Sequence, residues 1–200
     1  MWIEKRKFVK SEELKALCKE LNKDYTRTIN YFLARKYLIR IFKGIFYVRS
    51  IEEIKFDKID TSHLDLVANG LKLKGIKNWY FGLYTALKLN NLTHEYFTVD
   101  FVINDKIFRA EDAKIAGYKF KFIKIKPSLI FGTKYKNTIK YSDVEKTILD
   151  FIYINKYRSV PEERILLDVS EFTEKADKDK LFKYLHKYPK SVWKIVEKIK

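Results

Sequence analysis

The sequence predicts an α+β fold made of two small domains, and two observations lead to this prediction. Residues 8 to 49 show two short helical patterns followed by two β-rich runs, and the later chain alternates aromatic or β-branched runs with helical patterns before it ends in helices. The composition agrees with compact domains, because 46% of the residues are hydrophobic and only 6 Gly and 3 Pro occur among 200 residues.

The first predicted helix starts at Ser11, which we expect to cap it, and it has acidic residues in its first turn. Apolar residues recur at helical spacing and predict one buried face, made of Leu14, Leu17, Cys18 and Leu21. The single cysteine therefore reads as a small residue of the core, without a disulfide framework. Residues 22 to 24 have the composition of a tight polar turn and separate this helix from the next.

The second predicted helix is capped by Asp24 and runs to about Lys36. Its inner face would consist of Tyr25, Ile29, Phe32 and Leu33, whereas its outer face would carry Thr26, Arg27, Asn30, Tyr31, Ala34 and Arg35. Arginine can bind guanine edges and asparagine adenine edges in the major groove, and hydroxyl groups commonly bind phosphates. The outer face therefore has the chemistry of a DNA-reading helix.

Two β-rich runs follow, and Gly44 supplies the permissive backbone for a hairpin between them. Two helices followed by such a hairpin have the order of a winged helix-turn-helix, so we predict a DNA-binding domain over residues 1 to 55. The candidate DNA-binding residues are Thr26, Arg27, Thr28, Asn30, Tyr31 and Arg35 on the helix and Arg40, Lys43 and Arg49 on the hairpin.

The charge distribution favours a phosphate-binding surface at this end of the chain. Residues 1 to 50 contain 13 Lys and Arg against 5 Asp and Glu, so they carry +8 of the total net charge of +16. Two other interpretations stay open. The basic face of an amphipathic helix is often simply exposed to solvent and binds nothing, and winged helices also serve as protein-docking modules.

Residues 56 to 200 predict a second, α+β domain. We expect a helix capped by Ser62, another helix over residues 78 to 89, a strand over 96 to 103, and a helix opened by a Ser142 to Glu145 capping box. A strand over 118 to 126 is predicted to have a bulge at residues 122 and 123. Its lysines would then form a candidate second basic surface, or simply a solvated face or protected edge, made of Lys119, Lys121, Lys124 and Lys126.

Three segments carry a resemblance to a known family: YFGLYTALKLNNLT from Tyr80 to Thr93, the pair Phe131-Gly132, and YSDVEKTILD from Tyr141 to Asp150. Together with the N-terminal helices and hairpin, they resemble the AbiEi-type antitoxins, which are regulators of abortive-infection systems that defend against phage. The last segment looks like that family's S-D-P-E-R-T-L-x-D helix start, although Val144 replaces the usual proline and Lys146 the usual arginine.

The resemblance implies a role that the residue patterns by themselves do not indicate. It implies an autorepressor that binds inverted repeats in its own promoter, as a homodimer on DNA or as paired monomers. It also implies that the C-terminal domain counteracts a nucleotidyltransferase toxin encoded beside it, with no stable complex between the two required. Our prediction is thus an antitoxin without enzymatic activity or cofactor.

An enzyme is the competing class. Asp100 followed by Asp112 and Lys114 loosely matches the acidic residues and lysine with which nucleases hold Mg²⁺ and orient water. Two other carboxylates, Glu145 and Asp150, are interpreted as structural. The histidines are scattered, and no phosphate-binding glycine loop or nucleophile elbow occurs. A winged-helix transcription factor unrelated to any toxin is a further alternative.

With no apolar stretch of signal-peptide or membrane-spanning length, we expect a cytoplasmic protein.

Overall fold

Helices and two β-sheets are both present in the computed structural model, which describes residues 6 to 199, so the α+β prediction is confirmed. The chain divides into two units. Residues up to 77 together with 114 to 118 form the first unit, and residues 78 to 113 with those from 119 onward form the second. Among the described residues, none of the helices has the length and apolar character needed to cross a membrane.

The first unit contains a three-stranded antiparallel sheet and four helices. In chain order its elements are β1 (Phe8–Lys10), α1 (Ser11–Glu20), α2 (Tyr25–Ala34), β2 (Leu38–Phe42), β3 (Ile45–Val48), α3 (Ile51–Lys55) and α4 (His63–Leu73). The strand order is β1-β3-β2, with β3 in the centre. Buried side chains from both early helices and all three strands form its core: Val9, Leu14, Ile29, Leu38 and Phe46.

Helix α4 packs against all three strands of this sheet, so the first unit extends beyond residue 55. Its Gly70 explains the close approach, because a Cβ atom there would lie 2.7 Å from Ile41 and 2.8 Å from the Phe42 ring. The Ser62 cap is confirmed, since its hydroxyl accepts a hydrogen bond from the Asp65 amide at 3.1 Å. The predicted boundary between residues 55 and 56 falls inside this unit.

Two details of α1 differ from the prediction. Lys10, not Ser11, occupies the N-cap position, and it provides no side-chain hydrogen bond; the Ser11 hydroxyl instead donates to Glu12 at 3.0 Å. Leu21 is 66% exposed, because α1 ends at Glu20 and Leu21 no longer follows the helical face that buries Leu14 and Cys18. The apolar face is therefore one residue shorter than predicted.

The strand β6 (Ala113–Ile115) lies at the point where the chain returns from the second unit to the first. A mixed sheet and five helices make up the second unit. Its elements are β4 (Trp79–Phe81), α5 (Leu83–Leu89), β5 (Val99–Asn104), β7 (Tyr118–Lys124), β8 (Thr133–Lys136), β9 (Ile139–Ser142), α6 (Val144–Tyr157), α7 (Glu162–Thr173), α8 (Lys178–Leu185) and α9 (Lys190–Val196), with a 3₁₀ turn at Pro127–Leu129. The strands are ordered β7-β5-β4-β9-β8. Helix α6 is central, because α5, α7, α8 and α9 all pack on it.

Three predictions for this unit were wrong. Residues 79 to 81 form the fully buried strand β4 instead of a helix, since a short aromatic run suits a strand with both faces covered. The pairing of β7 with β5 is continuous, without a bulge. The cap of α6 is Asp143, whereas Ser142 ends β9 and its hydroxyl bonds to Thr147 at 2.7 Å.

Candidate nucleic-acid interface

Helix α2 is held in a defined position by its cap, its inner face and its two flanking turns. Asp24 accepts a hydrogen bond from the Arg27 amide at 2.7 Å, as predicted. Ile29 is buried, and Tyr25, Phe32 and Leu33 pack around the same core. The turn before the helix is closed by a bond of 2.8 Å from the Lys23 amide to the Cys18 carbonyl, and the left-handed residue Lys36 follows its end.

The outward face of α2 plays no part in the core of the first unit. The side chains exposed there are Thr26, Arg27, Asn30, Tyr31, Ala34 and Arg35, and Thr28 is half-buried. The helix itself contains no carboxylate, and the Arg35 guanidinium lies 5.8 Å from the centre of the Tyr31 ring. The outer face of this helix thus exposes two arginines, one amide and several hydroxyl groups, as predicted.

The hairpin of β2 and β3 turns at Lys43 and Gly44, and its tip is fixed to the start of α1. Gly44 has a φ of +77°, and its carbonyl accepts a hydrogen bond of 2.9 Å from the Ser11 amide. Both Lys43 and Arg40 are exposed, and the Arg40 guanidinium lies 5.8 Å from the Phe46 ring centre. These two cations remain available beside a well-anchored turn.

Arg49 is the exception among the candidate DNA-binding residues, because its side chain is only 3% exposed. Its guanidinium donates to the carbonyls of Lys36 and Glu53 and forms an ion pair with Asp57 at 3.1 Å. Hydrogen bonds from Lys36 and then Arg49 hold the pKa of the Asp57 carboxyl below its ordinary value. Arg49 therefore links the end of the hairpin to the segment after α3, and its placement on an exposed wing was wrong.

A second structural cluster next to Arg49 escaped the sequence analysis. Ser50 and Glu53 form a capping box at α3, and Glu53 also accepts hydrogen bonds from the Tyr47 hydroxyl at 2.6 Å and the Asp60 amide at 2.8 Å. Burial, followed by the bond to Glu53, raises the pKa of Tyr47 to about 12. The Ser-x-x-Glu spacing at residues 50 to 53 is the signal from which this cap could have been found.

The candidate second basic surface is divided by the regular geometry of β7. Side chains alternate along a strand, so without a bulge Lys119 and Lys121 lie on one face and Lys124 on the other, while Lys126 lies beyond the strand. Lys121 is also engaged, because its ammonium group lies 3.4 Å from Asp112. The four lysines do not form the predicted single row.

The YSDVEKTILD segment, which carries most of the family resemblance, forms a buried polar network. The Lys146 ammonium group pairs with Asp150 and with the Tyr188 hydroxyl at 2.7 Å, and Asp150 also accepts from the Tyr80 hydroxyl at 2.7 Å. Lys146, Asp150 and Tyr80 are all 0% exposed. Desolvation lowers the pKa of Lys146 and raises that of Tyr80 well above its ordinary value.

The same network accounts for a glycine at position 132 and an aromatic ring at position 131. Gly132 has a φ of +60°, and a Cβ atom there would lie 2.9 Å from Tyr184 and 3.0 Å from the Cβ of Lys146. The Lys146 ammonium group lies 5.0 Å from the Phe131 ring centre. The structural interpretation of Asp150 therefore fits its surroundings, and the resemblance rests largely on residues that organise a core.

The carboxylates of the nuclease alternative have structural partners. Asp100 accepts a hydrogen bond from the Thr85 hydroxyl at 3.1 Å, and Asp112 pairs with Lys121. Within residues 6 to 199, no group of three or more His, Cys, Asp or Glu side chains is arranged to hold a metal ion. The geometry therefore adds no support to a metal-dependent site at these residues.

No known protein-family model and no curated protein matches the chain. Among solved structures, the chain is similar to the RV2827C protein from Mycobacterium tuberculosis, with a TM-score of 0.63 and 11% sequence identity. The alignment covers 98% of this chain and 72% of that one. At such low identity the likeness concerns the fold alone, and it extends over both units.

Proposed function

We propose that this protein is a transcriptional regulator that binds double-stranded DNA through a winged helix-turn-helix in its first unit. Helix α2 would lie in the major groove as the recognition helix, with the β2-β3 hairpin as the wing. The observation that carries the proposal is the outward face of α2, where Thr26, Arg27 and Asn30 are exposed on a helix that has no carboxylate.

The surroundings of α2 support this role. Four residues separate α1 from α2, and the order β1-α1-α2-β2-β3 with sheet order β1-β3-β2 brings a hairpin directly after the second helix. The exposed Arg40 and Lys43 on that hairpin are suited to contact phosphates. Because the cap and the core hold α2 in one orientation, binding would require little ordering of the protein.

The binding test uses DNA from upstream of the gene, with the affinity of the full chain measured by fluorescence anisotropy at two salt concentrations. We expect Arg27→Ala and Asn30→Ala each to lose about 1–3 kcal/mol of specific binding, and each to weaken the discrimination against unrelated DNA. Lys72→Ala is the matched control, because Lys72 is an exposed cation on α4 of the same unit. Equal affinities of the α2 variants and the control would refute the proposal.

We propose further, from the resemblance to AbiEi-type antitoxins, that the second unit counteracts a nucleotidyltransferase toxin encoded by a neighbouring gene. The test is growth rescue, in which the toxin and this protein are expressed together from separate foreign promoters. The wild type and Arg27→Ala should both restore growth. In a separate reporter assay, only the wild type should repress a reporter gene placed behind its own promoter. Failure of the wild type to restore growth would contradict the antitoxic role while leaving the DNA-binding proposal intact.

A further inference from the structure

A groove of about 750 Å³ lies entirely within the second unit and is unconnected with the proposed function of α2. One side is formed by the end of β7 and the residues after it, and the other by the last turns of α6. Residues 108 to 110 also line the groove. Its size is within the range of ordinary ligand sites, which makes it large enough for a short stretch of a polymer.

The charge of the groove is entirely of one sign. Five of its lining residues are Arg or Lys, and none is Asp or Glu. One of the five, Lys121, is neutralised by Asp112. The other four are exposed and remain to attract an anion: Arg109, Lys124, Lys126 and Arg158. Such an arrangement matches a ligand that carries several negative charges.

Aromatic side chains border the same groove. Tyr157 is 84% exposed and Phe108 is 72% exposed, although large aromatic rings are ordinarily buried for most of their area. Tyr153 is half-buried and is held edge-on against Tyr188 with their ring centres 5.8 Å apart. Buried apolar side chains also line the groove, among them Phe122 and Ile154. The groove thus combines cations with flat apolar rings.

We propose that this groove binds single-stranded nucleic acid. Phosphates would lie against Lys124, Lys126 and Arg158, and an unstacked base would lie on the Tyr157 ring. A duplex offers phosphates, but its bases are stacked inside the helix and are not available to stack on the two exposed rings. An acidic peptide would satisfy the charges, but it has an aromatic ring only where its sequence supplies one, whereas every nucleotide carries a planar base.

The test measures binding of a fluorescein-labelled oligouridylate of about ten nucleotides, a length within the usual range of such sites. To reduce the contribution from α2 equally in every sample, all proteins carry Arg27→Ala and Asn30→Ala in the full chain. Tyr157→Ala is expected to weaken binding about fivefold or more, which is the loss of one base stack. The combined change of Lys124, Lys126 and Arg158 to Ala should lower the slope of log affinity against log salt concentration by about 2.

The strand β8 of the same unit offers matched controls, because Tyr135 is 67% exposed and is flanked by the exposed Lys134 and Lys136. Tyr135→Ala and the double change of these lysines to Ala should leave affinity nearly unchanged. The proposal is overturned if Tyr157→Ala binds as Tyr135→Ala does, or if Tyr157→Ala weakens a duplex of mixed sequence as much as the single strand. Competition by polyglutamate as effective as that by unlabelled oligouridylate would also overturn it.

Discussion

Helices α2 and α6 both begin with an aspartate that caps the helix, yet the two aspartates lie in very different surroundings. Asp24 is exposed and accepts one hydrogen bond, from the Arg27 amide at 2.7 Å. Asp143 is buried and accepts from the Lys146 amide at 2.9 Å, the Tyr184 hydroxyl at 3.0 Å and the Lys180 ammonium group at 3.0 Å. The same local signal thus serves one helix in the first case and joins two helices in the second.

This difference separates two kinds of polar residue. Around α6, the polar side chains Asp143, Lys146 and Asp150 bind partners within the second unit. The outward face of α2 instead carries polar groups that take no part in the core of the first unit. A substitution should therefore affect stability at α6 and binding at α2. The substitutions below test this separation, beginning with the one of largest effect.

Asp150→Ala should reduce the free energy of unfolding of the second unit by about 3–5 kcal/mol, because it leaves the Lys146 ammonium group buried without its carboxylate. Trp79 and Trp193 both lie in this unit, so their fluorescence in a Trp2→Phe background reports its unfolding in guanidinium chloride. As a control, the double variant Lys146→Met/Asp150→Leu should recover part of the loss. A loss below about 1 kcal/mol would show that the pair contributes little.

Asp143→Ala should cost about 2–4 kcal/mol, measured in the same way. About 1 kcal/mol of this is the lost helix cap, and the rest comes from the charged hydrogen bonds to Tyr184 and Lys180. DNA affinity per folded molecule should not change, because Asp143 lies in the second unit. A loss no larger than that of an exposed cap would remove the distinction between the two aspartates.

Asp24→Ala should have the smallest effect on stability, about 1 kcal/mol, since only the cap of α2 is lost. Amide hydrogen exchange of α2 would measure it, as faster exchange in the first turn of that helix. Asp24→Asn serves as the matched control, because asparagine caps helices about as well as aspartate. If Asp24→Ala destabilised the first unit by several kcal/mol, Asp24 would have structural partners beyond the Arg27 amide.

Local signals in the sequence were sufficient for much of the first unit. The Asp24 cap, the inner face of α2 and the turn at Gly44 each depend on neighbouring residues, and all three predictions are confirmed. Arg49 was misplaced because its partners, Asp57 and the Glu53 carbonyl, come later in the chain and in no recognisable pattern. The use of α2 for DNA binding stays a prediction.

In the second unit, the strand predictions failed where strands are buried on both faces, because such strands lack the alternation of apolar and polar residues. Residues 79 to 81 are apolar without alternation, so their period could not distinguish a buried strand from a helix. At residues 122 and 123 the apparent change of phase arises because Phe122 is buried and Ile123 packs against the core of this unit. Two adjacent apolar residues on opposite faces resemble a bulge in sequence although the pairing is regular.

Residues 114 to 118 belong with the first unit although residues 78 to 113 precede them in the chain. A protein emerging from the ribosome would therefore form α2 and its hairpin early, but would complete that unit only after β4 and β5 had been synthesised. A premature stop between residues 78 and 113 would remove part of a unit encoded mostly upstream. For the same reason, recombination at a single junction after residue 77 would not transfer the first unit intact to another protein.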